Sequence, residues 1–132
     1  FKNFDKILIT NNTISMITRS DLKPLGGQLK TFWIQGSSIE VIPADLFEDT
    51  INLQLIFLSG NKIKHVERGA FSHLQKLTQL FFSYNTCKTP SAYFRADVLS
   101  LISTIEEKCV DEEAFARFND QLITTGDVTN AV

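Results

Sequence analysis

Residues 53–80 read LQLIFLSGNKIKHVERGAFSHLQKLTQL, and their apolar slots come round twice. From Leu53 the slots run Ile56, Leu58, Asn61, Ile63, Val66, Phe71 and Leu74; Leu77, Leu80, Phe82 and Asn85 restart them 24 residues later. One unit earlier, Leu29, Phe32, Ile34, Ser37, Ile39, Ile42, Phe47 and Thr50 hold the same places. A first unit runs from Phe4 through Ile7, Ile9, Asn12, Ile14, Ile17, Leu22 and Leu25. It is one residue longer, and Gly26-Gly27 can absorb the excess in a turn. A fixed period of this length marks a solenoid, in which no unit buries its apolar face alone and neighbours must stack.

Each slot has a physical reason. Pairs such as Ile56-x-Leu58 alternate with period 2, so both side chains enter the interior from one short strand. The Asn slot follows the strand, where a side-chain amide can satisfy buried backbone groups of the turn. Asn12, Asn61 and Asn85 fill it; Ser37 interrupts the series, and there a hydroxyl or a water must serve. Leu22, Phe47 and Phe71 form a spine on the opposite side. Over residues 4–87 this pattern closely resembles the leucine-rich repeat family in its 24-residue, extracellular type. The resemblance implies an α/β leucine-rich repeat solenoid, with a short curved parallel sheet of four strands, loops on the convex side and a helical C-terminal cap. It divides the chain into a solenoid of about four units over 1–87 and a cap with a tail over 88–132.

Both ends of a stack need covering. After Asn85 the repeat fails, and Cys87 stands where Ile63 stood one unit before. From Arg95 to Lys108, Val98, Leu101, Ile102 and Ile105 recur at helical spacing, and Cys109 follows. This resembles the cysteine-flanked C-terminal caps of secreted repeat proteins, which implies a Cys87–Cys109 bridge. The bridge requires residues 88–94 to run extended back along a helix that begins near Arg95, and Pro90 suits that. The other reading is two buried free thiols in a cytosolic protein; a lone pair of cysteines around a cap favours the oxidising compartment. Residues 111–123 read as a second helix, with Asp111 at its start and Phe115, Phe118 and Leu122 on one face. The tail after Gly126 has little to bury and is expected to be loose. No cysteine-bearing cap precedes the first unit, so Phe1 and Phe4 are expected to shield that edge in part, with upstream sequence or another chain completing it.

Composition narrows the function. The 132 residues carry 13 Lys+Arg against 15 Asp+Glu, a formal charge of −2, which disfavours nucleic acid or a polybasic membrane surface as the partner. Apolar runs such as Leu55–Leu58 are far too short to span a bilayer, so no membrane contact is expected of this segment. With two histidines and no phosphate-loop, CxxC or HExxH pattern, no metal, cofactor or catalytic residue is expected, and the chain reads as a non-enzyme. His65 and His73 are read as surface residues. Residues 91–132 are acidic, a pattern read as solvated helix faces.

The residue between the two core positions of each strand faces the concave surface, and there it is Leu8, Trp33, Phe57 and Phe81. These should form one apolar stripe, extended by Leu55 and Tyr84, with Gln35, Gln79 and Ser83 beside it. Cross-strand packing alone would account for such a row, but an exposed apolar ladder also marks contact surfaces, and Trp and Tyr dominate them. The stripe is therefore the expected site for a protein partner. Asn11-Asn12-Thr13 fits the N-glycosylation sequon, with Asn11 at the rim. The reading is a secreted or cell-surface recognition module without catalysis. The short repeat array and the Arg95-Ala-Asp-Val-Leu-Ser-Leu-Ile helix resemble secreted arthropod, mosquito immune-like, repeat proteins, which implies a role in innate immunity. The rival readings are a structural protein that self-associates into a homo-oligomer, and a fragment of a receptor ectodomain.

Overall fold

The computed structural model describes residues 4–125. Phe1 and the tail after Gly126, both given expected roles above, lie outside the described residues. Four strands, β1 (Lys6–Thr10), β2 (Thr31–Gln35), β4 (Leu55–Phe57) and β6 (Gln79–Phe81), form one parallel sheet in the order β1-β2-β4-β6. The 24-residue period reappears as register: Ile7 lies beside Phe32, Phe32 beside Ile56 and Ile56 beside Leu80. Leu29, Leu53 and Leu77 are fully buried in one continuous core with Phe32, Ile56 and Leu80. Backbone bonds tie each strand start to the last, from Lys30 to Asp5, Gln54 to Lys30 and Thr78 to Gln54. A second, two-stranded sheet, β3 (Val41–Ile42) with β5 (His65–Val66), runs parallel along the next side of the coils.

On the remaining side short turns carry the spine. Phe47 and Phe71 stack with centroids 5.7 Å apart, and both are buried. Phe71 meets Phe82 edge-on at 6.4 Å, which carries the spine into the fourth coil. Leu22 sits at the end of the single helical turn α1 (Arg19–Leu22), and the extra residue of the first coil is taken up at Gly26, with φ of 45°. Arg19 grips Asp49 of the next coil with two N–H donors, at 2.8 and 3.1 Å, and this pairing holds the Asp49 carboxyl below the usual carboxylate range.

The Asn series behaves as a ladder along the stack. Asn61 Nδ2 donates to the carbonyls of Ile34 and Leu58, and its Oδ1 accepts from the backbone N–H and the hydroxyl of Ser37. Ser37 thus fills the gap in the series by donating into the next coil. Asn85 repeats the scheme with Leu58, Phe82 and Ile63. Asn12 has only the Ile14 N–H on its Oδ1, and its buried Nδ2 finds no partner among the described residues. Among the described residues β1 is the edge of the sheet, so no earlier coil there offers the cross-coil carbonyl that Ile34 offers Asn61.

The C-terminal segment closes the other end. Residues 88–94 are non-helical, and Ala92 bridges antiparallel to Leu80, so this segment lies along the edge of β6. Helix α2 (Arg95–Lys108) then buries Val98, Leu101, Ile102 and Ile105 over the open core. Arg95 anchors its first turn by donating to the carbonyls of Leu74 and Leu77. Cys87 and Cys109 are joined, with their Cα atoms 5.2 Å apart. Helix α3 (Glu112–Thr125) folds back across β5 and β3. Asp111 caps it by accepting from the Ala114 N–H, which holds the Asp111 carboxyl below its ordinary range.

One expectation is overturned here. His65 is not a surface residue: it is 5% exposed, stacked on Phe115 of α3 at 4.7 Å, and its Nδ1 accepts from the Asp111 N–H. That acceptor role leaves the ring proton on Nε2. His65 occupies the repeat slot that Val41 fills 24 residues earlier, and Val41 is buried beneath Ala114 and Phe118. His73 is exposed, with its ring nitrogens near the carbonyls of Phe47 and Gly69.

Candidate partner-binding surface

Parallel pairing in constant register brings the middle residue of each strand into one row. Leu8 lies beside Trp33, Trp33 beside Phe57 and Phe57 beside Phe81. Trp33 and Phe57 stack with centroids 3.9 Å apart and planes 2° from parallel; Phe57 and Phe81 follow at 5.3 Å and a 33° tilt. The three rings are half-buried and Leu8 is 62% exposed, so the row faces outward on the open side of the sheet. Cross-strand packing therefore accounts for the ring order but leaves the outer edges of the rings uncovered.

The row has one more rung than the repeat pattern indicates. The antiparallel Leu80–Ala92 bridge sets Tyr93 diagonally from Phe81, where the two rings meet edge-on at 5.1 Å, and Tyr93 and Phe94 are both strongly exposed. Tyr93 lies outside the repeat, so only its place next to an extended segment hinted at it. Leu55 belongs to a parallel row between Thr31 and Gln79, not to the stripe itself. Gln35 accepts the indole N–H of Trp33 at 3.2 Å, and Ser83 shares a hydrogen bond with Ser91 of the cap.

Tyr84 stands apart, 87% exposed on the turn after β6 with φ of 61°. The equivalent slot holds Asn11 (φ 50°), Gly36 (φ 70°) and Gly60 (φ 75°). Every coil thus turns through the left-handed region here, which glycine adopts freely and a ring-bearing residue does not. Tyr84→Gly is accordingly expected to raise stability by about 0.5–1 kcal/mol, the left-handed strain relieved less the extra backbone entropy of glycine. A urea titration reads this as a higher midpoint with an unchanged slope, and a lowered midpoint would refute it. Asn11, in the same slot of the first coil, is exposed at the rim.

A further concavity lies away from the stripe. A cleft of about 430 Å³ opens between α3 and the turns around Ser15 and Ser38. Within its lining Glu40 pairs with Arg117, and Glu40 also meets Lys64 nearby. Burial raises the Asp45 carboxyl on the spine side. No cluster able to hold a metal ion occurs among the described residues, and no helix there is long and apolar enough to cross a membrane.

Comparison with known proteins agrees with this geometry. Residues 27–86 match the family model described as leucine rich repeat. Keratocan of Mus musculus is 34% identical over 68 residues, which are 50% of this chain and 19% of that protein. The chain thus spans about a fifth of the length of this curated relative. Four coils in register, a buried Asn ladder and the matched repeat segment together give this chain the fold of a leucine-rich repeat solenoid.

Proposed function

We propose that this domain is a non-catalytic recognition module that binds a protein partner through the stripe Leu8, Trp33, Phe57 and Phe81, continued by Tyr93. The observation that carries the reading is the in-register aromatic row, half-buried on the open face of the sheet. Leucine-rich repeat domains typically bind proteins and are generally non-catalytic, which supports the same reading. The disulfide and the distant similarity to keratocan support an extracellular setting, secreted or at the cell surface, where Asn11 would be open to glycosylation. Innate immunity is the narrower form of the proposal and rests on the resemblance to secreted arthropod repeat proteins alone.

Immobilised wild-type protein and the Trp33→Ser, Phe57→Ser double variant, each offered the same extracellular fluid, test the reading. The wild type should retain protein that the variant loses at least tenfold. Equal retention by the two would sink it.

A second reading, self-association, is favoured by β1 being the sheet edge and by Asn12 Nδ2 having no hydrogen-bond partner, both among the described residues. Its test is size against concentration: dimer formation that Leu8→Asp leaves intact places the contact on the edge rather than on the stripe.

A further inference from the structure

The way the rings are presented says more about what the stripe holds, and this step rests on the recognition reading above. Trp33 and Phe57, 3.9 Å apart and parallel, cover the ring faces they turn toward each other. Phe57 and Phe81 lean together at 5.3 Å, and Tyr93 approaches Phe81 edge-on at 5.1 Å. Solvent along the middle of the row therefore meets ring edges, where the quadrupole is positive, and not the negative faces. A pyranose, a nucleobase or a quaternary ammonium needs a free face, and none is offered between Trp33 and Phe57. The indole N–H is already given to Gln35. What ring edges and a spent donor do accommodate is aliphatic side chains and thioether sulfur.

Spacing selects the backbone that carries those side chains. The rungs recur once per strand, about 4.8 Å apart. An α-helix laid across the strands returns to the same face every 5.4 Å, close enough to keep one apolar residue near each rung. An extended segment returns to one face only every ~6.7 Å and falls out of step within two rungs. The four in-register rungs, Leu8 to Phe81, call for four contact residues over about 12 helical residues, and Tyr93 extends the track on the diagonal. Charge sets the direction of contrast: residues 53–60 and 77–84, which carry β4 and β6, contain no charged residue, whereas Lys6 and Lys30 are exposed on the first two coils.

We propose that the row Leu8, Trp33, Phe57, Phe81 and Tyr93 docks an amphipathic helix that crosses the strands. Its contact face carries Leu, Ile or Met at i, i+4, i+7 and i+11, uncharged over β4 and β6 and acidic at the end over β1 and β2. The mode is a helix laid on an apolar track, with the rings as the track.

Trp33 is the chain's one tryptophan, so its emission reports occupancy of the row. Two displayed peptide libraries of equal size serve as probes. One is helical, with Leu, Ile, Val, Met and Phe varied at the four contact positions; the other is extended, with the same residues at alternate positions. Chitohexaose is the face-stacking control. The helical library should enrich at least tenfold over the extended one, its binders should shift Trp33 emission, and chitohexaose should not. Leu8→Asp and Phe57→Asp should each weaken those binders tenfold or more. Leu8, already 62% exposed on an edge strand, keeps the test open if Phe57→Asp fails to fold. Equal or greater enrichment of the extended library, or a chitohexaose-induced shift, overturns the helix and leaves the stripe reading standing. No enrichment, or enrichment indifferent to both substitutions, overturns the helix and the stripe together.

Discussion

Asn61→Ala should cost about 4 kcal/mol, and the three ladder positions should rank Asn61, then Asn85, then Asn12. The central amide makes four buried hydrogen bonds, to Ile34, Leu58 and twice to Ser37, and so links the second coil to the third. Alanine leaves the Ser37 N–H and the Ile34 carbonyl without that partner in the interior, at about 1–3 kcal/mol for each buried group left unmet. The Leu58 carbonyl keeps a donor, because Asn85 Nδ2 also reaches it at 3.0 Å, and the Ser37 hydroxyl can rotate. Asn85→Ala removes three such bonds beside the cap and should cost about 2–3 kcal/mol. Asn12 makes one bond and already carries an unmet donor, so Asn12→Ala should stay below about 1 kcal/mol. Urea unfolding of the three variants checks the ranking. Equal costs at all three positions would mean that the ladder adds nothing beyond local turn bonds.

That gradient explains what the sequence could and could not disclose. A solenoid writes its interior into a period, so the slots of Leu29, Leu53 and Leu77 specify register directly, and strand order follows from the stacking of like slots. The stripe was readable for the same reason: the residue between two core positions must face outward. Tyr93 escaped this logic because its ring reaches Phe81 diagonally from the segment bridged at Leu80–Ala92, a contact outside the repeat. The burial of His65 escaped it because α3 does the burying, and a helix with Phe115, Phe118 and Leu122 on one face does not say which side of the stack it will cover. The one available signal was slot equivalence with Val41, an apolar residue in the same place. Fold periodicity is local information; the return of a C-terminal helix over earlier coils is not.

Reduction of the Cys87–Cys109 bridge should destabilise the protein by about 3 kcal/mol, and the loss should be uneven. The two cysteines are 22 residues apart in sequence, so the disulfide closes a loop that holds the Ala92 segment and all of α2. Closing a loop of that size removes about 3 kcal/mol of chain entropy from the unfolded state. Location decides which elements suffer first. Cys109 is fully buried, its carbonyl accepts from the Val66 N–H, and two residues later the Asp111 N–H meets His65. One short link thus fixes the end of α2 and the start of α3 against β5. Once the sulfurs part, α2 keeps its four apolar anchors, but α3 rests on the smaller cluster of Val41, Ala114, Phe118 and Leu122. Amide exchange with and without reductant should show protection falling first in α3, next in α2, and least in β2 and β4. A uniform fall would mean that the bridge acts only through the unfolded chain, and an unchanged denaturation midpoint would mean that it adds no stability at all.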